Sequence, residues 1–380
     1  MRQPTLSICI PTFNRAHLLR KSLQKVTVEV AGLDGRVEVV ISDNASTDDT
    51  RSLVQGFLKK APIRYVCNER NIGVAANVCR VVEAATGDYC WIMGDDDLLA
   101  PGAVAEVLKL LTAHPDLPAI VTGYAYVDEA QRSDRVCDDS RAWSKTVFDD
   151  PEAAPQLMRW EDTCTKSHVP GLHTSIVGCV FARALWRGAG LHSGQLASVE
   201  PLSTLESTFP HTSVWVRVLA GKTILFAPRV FVCFFVGSQG WFERCWPTIV
   251  YSFALQLALA MRAHGAADGP VRHYENLLLS HPGLGALVNR PNDYAKAHFS
   301  LPWLIANFGD RDALIRSLTQ GLRRTRRRAP LYLLRVIRAG LNAERDPPGT
   351  FSGRLSATLA LTKDLVRCFL TRCERAFEPR

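Results

Sequence analysis

Short apolar runs alternate with amphipathic stretches through the first hundred residues, and each apolar run ends in polar residues. Leu6–Ile10 reads as a buried strand, Pro11–Arg15 as a loop and Ala16–Val26 as an amphipathic helix. Val37–Ser42 then reads as a second strand that ends in the turn DNASTDDT. The cycle repeats: Thr50–Lys60 is predicted helical and Ile63–Cys67 extended. The segment from Asn71 is a helix entered at Gly73, and Asp88–Met93 is a strand running into Gly94-Asp95-Asp96-Asp97. Strands alternating with helices predict an α/β domain whose parallel sheet carries helices on both faces. Its ligand loops would lie at the carboxyl ends of the strands, where these polar motifs fall.

After Pro101 a helix (102–114) and a strand (118–127) follow, and the pattern then loosens from Asp128 to Asp150, a stretch expected to run over the surface. Order returns with a strand and short helix in SIVGCVFARALW, a helix in SVWVRVLAG, and a pair of strands in KTILFAPRVFVCFFV. These place a nucleotide-binding domain at 1–237 and a helical C-terminal region at 238–380, the latter interrupted by Pro347-Pro348. No solenoid-length repeat or low-complexity tract is visible.

Composition narrows the classes. At 380 residues with 47% hydrophobic positions the chain can bury a substantial core, and a net charge of +8 favours an anionic partner: nucleotide, phosphorylated lipid, membrane surface or nucleic acid. No apolar stretch follows Arg2, so no leader peptide is expected. The run Ile249–Met261 is broken by Ser252 and Gln256 and is too short for a bilayer. A cytoplasmic location is the expectation. The eleven cysteines form no C-x-x-C pair and read as buried free thiols.

Chemistry concentrates in the loops. Three adjacent carboxylates after an apolar strand repel one another unless a cation or hydrogen-bond donors sit among them, so Asp95, Asp96 and Asp97 point to Mg²⁺ or Mn²⁺ held together with diphosphate oxygens. Asp43 is a candidate for the base or ribose, beside Pro11, Thr12, Phe13, Asn14 and Arg15; a turn role is its plain alternative. Ser46 or Thr47 would cap the following helix, with Asp48 and Asp49 against its dipole. Asn71 and Gly73 open the next helix, and Asn77 sits one turn inside, on a face that could meet the crevice.

Together LSICIPTFNR, VVISDNASTDDT, NERNIGVAAN, ATGDYCWIMGDDDLLAPGAV and SIVGCVFARALW make the chain resemble the family 2 glycosyltransferases of the GT-A fold, non-processive sugar transferases of bacterial surface polysaccharide and O-antigen assembly. The resemblance runs from Leu6 to Leu111 and more faintly from Ser175 to Val236. It implies a GT-A sheet and an inverting transfer from a nucleoside-diphosphate sugar to an acceptor hydroxyl, with a lipid-linked glycan as acceptor. Pro11, Thr12, Phe13, Asn14, Arg15, Asp43, Asn71, Gly73, Asn77, Asp95 and Asp96 would line the donor, and Asp96 and Asp97 the metal.

Two departures stand out. Relatives read Leu-Asp-Ala-Asp-Asp where this chain has Met93-Gly94-Asp95-Asp96-Asp97, which leaves open which carboxylate holds the metal. The Glu-Asp pair that supplies the base in many relatives is Pro210-His211 here. His211 is then the leading base, with Glu200 and Glu206 as rivals, and Arg217 could meet phosphate or face solvent. The Gln156, Arg159, Trp160 pattern of processive synthases precedes the base segment and is read as coincidence. Arg323, Arg324, Arg326, Arg327 and Arg328 before PLYLLRVIRAGL suit a peripheral contact with an anionic membrane or a solvated helix face. The rivals are a nucleotidyltransferase, which lacks its glycine-rich lysine loop here, a catalytically silent nucleotide- or glycan-binding module, and a nucleic-acid binder without a recognised fold.

Overall fold

The computed structural model describes residues 5–33, 35–133, 136–150, 152–166, 175–201, 204–236 and 256–280. The chain divides into two compact units, residues 1–244 with 259–271, and residues 245–258 with 272–380. The basic segment 323–328, the helices expected after residue 281 and the boundary expected at 237 lie outside the described residues.

The first half is a set of parallel strands. β1 (Leu6–Thr12) pairs with β2 (Val37–Asp43) on one side and β4 (Tyr89–Ile92) on the other, and β2 pairs with β3 (Ile63–Cys67). Leu6, Ile8, Cys9 and Ile10 are all fully buried, which is why β1 reads as a continuous apolar run: helices cover both faces. α1 (Ala16–Val30) turns Leu19, Leu23, Val26 and Val30 inward at helical spacing. Right-handed crossovers fix the layers. The chain steps outward from β1 to β2 to β3, so α1 and α2 (Thr50–Phe57) share one face. The return to β4 puts α3 (Val74–Ala84) on the other, where it packs on β1 and β2.

The second half is mixed. Beyond β5 (Leu98–Leu99) and α4 (Ala103–Ala113), β6 (Ala119–Asp128) is followed by short strands β7 (Lys145–Val147) and β8 (Gln156–Arg159). β9 (Cys179–Ala182) then lies antiparallel between β4 and β6. Short helices α5 (Arg183–Gly188), α6 (Ser193–Leu196) and α7 (Leu205–Thr208) lead to α8 (Pro210–Leu219) and to β10 (Thr223–Val236), parallel to β6. The sheet order is β3-β2-β1-β4-β9-β6-β10-β5, with β7 paired to β6 and β8 to β10. Residues 256–263 and α9 (Asp268–Ser280) are helical.

Two expectations are corrected. The segment expected as a pair of strands at 222–236 holds one fourteen-residue strand, Thr223–Val236. Its register against β6 slips between Ala227 and Val232, around Pro228, whose missing N–H interrupts the ladder without ending the strand. The stretch 128–150 is not merely a surface excursion. Val136 and Cys137 join a buried cluster with Leu98, Ala125, Val127, Cys233 and Phe235, and β7 extends the sheet at β6. Its few apolar residues are scattered among charges, so only the partner surface reveals them as core. Among the described cysteines Cys67, at the end of β3, is exposed, while the other seven are buried free thiols. No helix of the described residues is long and apolar enough to cross a membrane.

Close approach at Gly123 ties β6 to its neighbours. A Cβ there would stand 1.9 Å from the Phe148 carbonyl oxygen and 2.6 Å from that of Arg229, whereas Gly56 in α2 has open space around it. Gly123→Ala is therefore expected to cost about 2–3 kcal/mol or prevent folding, and Gly56→Ala to add up to about 1 kcal/mol. Chemical denaturation of both variants checks the pair of signs.

Candidate active site

The parallel half delivers its loops to one edge. Thr12 ends β1, Asp43 ends β2, and the turn 94–97 follows β4; β1 is flanked by β2 and β4, so the chain's direction across the sheet reverses beside it. An open α/β sheet forms its ligand crevice at such a reversal.

Cross-loop hydrogen bonds build the crevice wall. Asn14 (φ 52°) and Ala45 (φ 62°) both adopt the left-handed conformation, which is costly for Ala45. Their loops are pinned to each other: Asn14 N–H donates to Ser46 Oγ at 2.8 Å and Thr47 N–H donates to Asn14 Oδ1 at 2.7 Å. Ser46 and Thr47, expected as caps of α2, instead serve this lock. The cap belongs to Asp48, whose carboxylate accepts from Thr50 N–H at the start of α2 and from Ala16 N–H at the start of α1. Burial opposes its charge, but the bonds from Thr50 and Ala16 prevail and hold Asp48 below the usual carboxylate range. Asp49 precedes α2 without a capping bond from its side chain.

Asp43 is buried, accepting Ser46 N–H at 2.9 Å and the Tyr65 hydroxyl at 2.5 Å. Burial, then the contact with Asp43, push the Tyr65 phenol up, so it remains a donor. Asn77, expected on the crevice face, is 2% exposed. Its Oδ1 accepts from Ser42 Oγ and Asn68, and its Nδ2 donates to the Thr12 and Ser42 carbonyls. It fastens α3 to β1 and β2 because a buried amide must satisfy all its groups. Asn71 Oδ1 accepts from Gly73 N–H and from Asn44 Nδ2, closing the entry to α3, where Gly73 (φ 86°) precedes the first helical residue. Pro11, Phe13, Asn14, Asn71 and Gly73 stay partly or fully exposed along the loops, Phe13 at 38%.

The acidic turn is the electrostatic centre. Asp95, Asp96 and Asp97 are 3%, 3% and 1% exposed. Thr12 Oγ1 donates to Asp95 at 2.7 Å; Arg15 spans Asp95 and Asp96 at 2.7 and 2.6 Å. Asp97 accepts from Gly94 N–H at 2.8 Å, and its Oδ1 is buried without a hydrogen-bond partner. A Cβ at Gly94 would lie 2.7 Å from carboxylate oxygens of both Asp96 and Asp97, so a side chain there would displace those two carboxylates. Sequence reasoning missed the residue beneath. The side chain of Arg132 is only 3% exposed. It donates through Nη1 to the Asp96 carbonyl at 2.6 Å, grips both oxygens of Glu129, and lies 3.6 Å above the Phe235 ring. It stands in a charge-mixed stretch whose composition carries no signal for it.

Burial first, then the neighbouring Asp96, raise Asp95 to about 7 against the pull of Arg15; the same two causes push Asp97 well above the carboxylate range. Burial disfavours the charge on Arg15, but Asp95 and Asp96 outweigh it and raise its pKa. Four carboxylates (Asp95, Asp96, Asp97, Glu129) against two guanidiniums (Arg15, Arg132) leave two negative charges to be met by protons or by a cation. Among the described residues no three His, Cys, Asp or Glu side chains converge as a complete metal cage. The unpartnered Asp97 oxygen beside Asp96 fits an open, oxygen-only site of the kind Mg²⁺ or Mn²⁺ completes with phosphate and water.

His211 lies in the first turn of α8, 4% exposed, with its ring centroid 5.0 Å from that of Trp215 and 5.9 Å from that of Phe209. Arg217, weighed as a phosphate contact, pairs with Glu206 at 2.5 Å, and Ser213 also donates to Glu206; Glu200 is exposed. Gln156 and Arg159 sit on strand β8 and Trp160 is buried.

The sheet defines an α/β domain of GT-A type, and comparisons with known proteins agree. The chain superposes on S. aureus TarS 1-349 in complex with UDP with a TM-score of 0.55 at 14% identity, covering 89% of each chain. It superposes on the mannosyltransferase PcManGT from Pyrobaculum calidifontis, in complex with GDP-Man and Mn²⁺, with a TM-score of 0.50 at 16% identity, covering 100% of this chain and 89% of that one. Residues 7–158 match the model of glycosyl transferase family 2. Over 115 residues the chain is 39% identical to abequosyltransferase RfbV of Salmonella typhimurium (30% of this chain, 34% of the relative). Over 109 residues it is 33% identical to the GalNAc(5)-diNAcBac-PP-undecaprenol beta-1,3-glucosyltransferase of Campylobacter jejuni (28% and 34%). The chain thus spans about a third of the length of these curated relatives.

The raised Asp95 has a stability consequence. The folded protein holds that proton up to about pH 7, while an unfolded aspartate releases it near pH 4. Between those values the folded state binds more protons, so this group's contribution to stability declines as pH rises from about 4 to about 7 in metal-free protein. The melting temperature of Asp95→Asn relative to wild type, in EDTA, should accordingly climb across that window; a pH-independent difference would contradict the assignment.

Proposed function

We propose that the chain is a metal-dependent glycosyltransferase that moves a sugar from a nucleoside-diphosphate sugar to an acceptor hydroxyl, with a lipid-linked glycan of surface polysaccharide assembly as acceptor. One observation carries the reading: the ends of β1, β2 and β4 bring Thr12, Arg15, Asp43 and the buried aspartates to one crevice, within a family 2 segment. The lipid-linked acceptor is supported by the Campylobacter relative, a GalNAc(5)-diNAcBac-PP-undecaprenol beta-1,3-glucosyltransferase, and by the net charge of +8.

In this reading Asp43 and the exposed loop residues Pro11, Phe13, Asn14, Asn71 and Gly73 receive the nucleoside, with Phe13 offering an accessible ring. Thr12 and Arg15 orient Asp95 and Asp96 towards the diphosphate side. Asp96 and Asp97 would hold the divalent metal, which when bound supplies Lewis-acid stabilisation of the diphosphate leaving group. Preorganised donors matter here because the buried site needs no reorganisation as charge develops. His211 is assigned the acceptor proton, giving inversion in a single displacement, since Glu206 is committed to Arg217 and Ser213. The catalytic domain is assigned to 1–237 and a helical, acceptor- or membrane-associated region to 238–380. Peripheral contact with an anionic inner membrane face through Arg323–Arg328 completes the proposal.

Thermal stabilisation across UDP-, GDP-, CDP- and dTDP-sugars, each with Mn²⁺ or EDTA, tests it. One nucleotide class should stabilise the protein by about 2.7 kcal/mol at a hundredfold excess over Kd. That gain should vanish in EDTA and in an Asp96→Ala, Asp97→Ala double variant. His211→Gln should bind donor normally but lose roughly 10²- to 10⁴-fold in kcat. A folded protein that no nucleotide stabilises would overturn the reading.

A further inference from the structure

We infer that Arg132 is a positioning residue for the metal and donor: it clamps the backbone of the acidic turn from beneath, and so sets where the Asp96 and Asp97 carboxylates stand. The inference rests on the glycosyltransferase reading above.

Three of the five guanidinium N–H donors and one face of its plane are accounted for. Nε and Nη2 bind the two Glu129 oxygens at 2.6 and 2.7 Å, Nη1 donates to the Asp96 carbonyl at 2.6 Å, and the plane covers Phe235 at 3.6 Å. With a side chain 3% exposed, Arg132 has little surface left for substrate, which separates it from Arg15, whose side chain is 29% exposed beside the carboxylates of Asp95 and Asp96. A buried cation that grips main chain fixes geometry as well as potential. The planar fork allows three directed bonds at once, which a lysine ammonium on a flexible stem does not reproduce. Its supports are themselves rigid: Glu129 begins a 3-10 turn capped by Asp128, and Phe235 belongs to β10 in the buried cluster with Leu98, which directly follows the acidic turn. β5, β6 and β10 thereby converge on one carbonyl between the two proposed metal ligands. A free turn carrying three carboxylates would splay them apart by repulsion. Held at Asp96 C=O, the turn keeps Asp97 Oδ1 buried beside Asp96. Groups of this kind, one layer behind the ligands, set metal affinity by orienting them.

The experiment is calorimetric titration of Mn²⁺ into the full chain, with melting temperature and donor KM measured alongside, for wild type, Arg132→Lys and Glu129→Gln. Arg132→Lys keeps the charge but loses the fork, and Glu129→Gln leaves Arg132 charged but loosens its grip. We expect Mn²⁺ affinity to fall about 10- to 100-fold in Arg132→Lys, with donor KM raised in parallel, and a smaller fall in the same direction in Glu129→Gln at unchanged melting temperature. Wild-type Mn²⁺ affinity and KM in a folded Arg132→Lys would overturn the inference. Should that variant not fold, unchanged Mn²⁺ affinity in Glu129→Gln would overturn it instead. Wild-type protein that binds neither Mn²⁺ nor nucleotide would fail the glycosyltransferase reading itself, a different result from variants that match a binding wild type.

Discussion

Three carboxylates buried within four residues of one another make up the constraint to which the rest of the site answers. Each is at most 3% exposed, and Asp95 and Asp97 both have raised pKa values through burial and the charge on Asp96. Desolvating one carboxylate costs several kcal/mol unless it is paired, so a trio persists only where the fold supplies donors and cations. Thr12 and Arg15 answer from β1 and the loop after it, Gly94 from the turn itself, and Arg132 from the stretch after β6. The two guanidiniums engage different groups of the turn, Arg15 the carboxylates of Asp95 and Asp96 and Arg132 the Asp96 carbonyl.

Much of the surrounding architecture can be understood as support for that arrangement. The parallel strands β2-β1-β4 align three loop entries at one edge, and the asparagine set of Asn44, Asn68, Asn71 and Asn77 stitches the loops of β1, β2 and β3 to the start of α3. Left-handed Asn14 and Ala45 are tolerated because cross-loop hydrogen bonds over-determine them. The mixed half of the sheet contributes differently. Its long strand β10 accepts a bulge at Pro228 and carries Phe235 beneath Arg132, so a strand distant in sequence forms the floor of the acidic turn.

Position 94 shows how closely the acidic turn is packed. With Asp96 and Asp97 turned inward, a Cβ at 94 would meet an oxygen of each at 2.7 Å. His211 is likewise closely set, in the first turn of α8 with its ring against those of Phe209 and Trp215.

Local pattern determined the strands and helices of the parallel half, because period and apolar content are properties of a contiguous segment: β1 to β4 and α1 to α4 fall within a few residues of where alternation of buried and amphipathic runs puts them, while the two-residue β5 went unpredicted. The same locality made Thr12, Arg15, Asp43 and the aspartates legible, since they end strands and therefore meet at a predictable edge. Tertiary structure alone decided what depends on partners far along the chain. Asn77 reads as a crevice residue until Ser42 and the Thr12 carbonyl are seen to consume its amide; Val136 and Cys137 read as loop until Cys233 and Phe235 cover them. Arg132 reads as one charge among many until Phe235, more than a hundred residues later, closes over it. Periodicity reports the face a residue shows, but the energy of a buried polar group resides in its partners, and those are set by how distant strands come together.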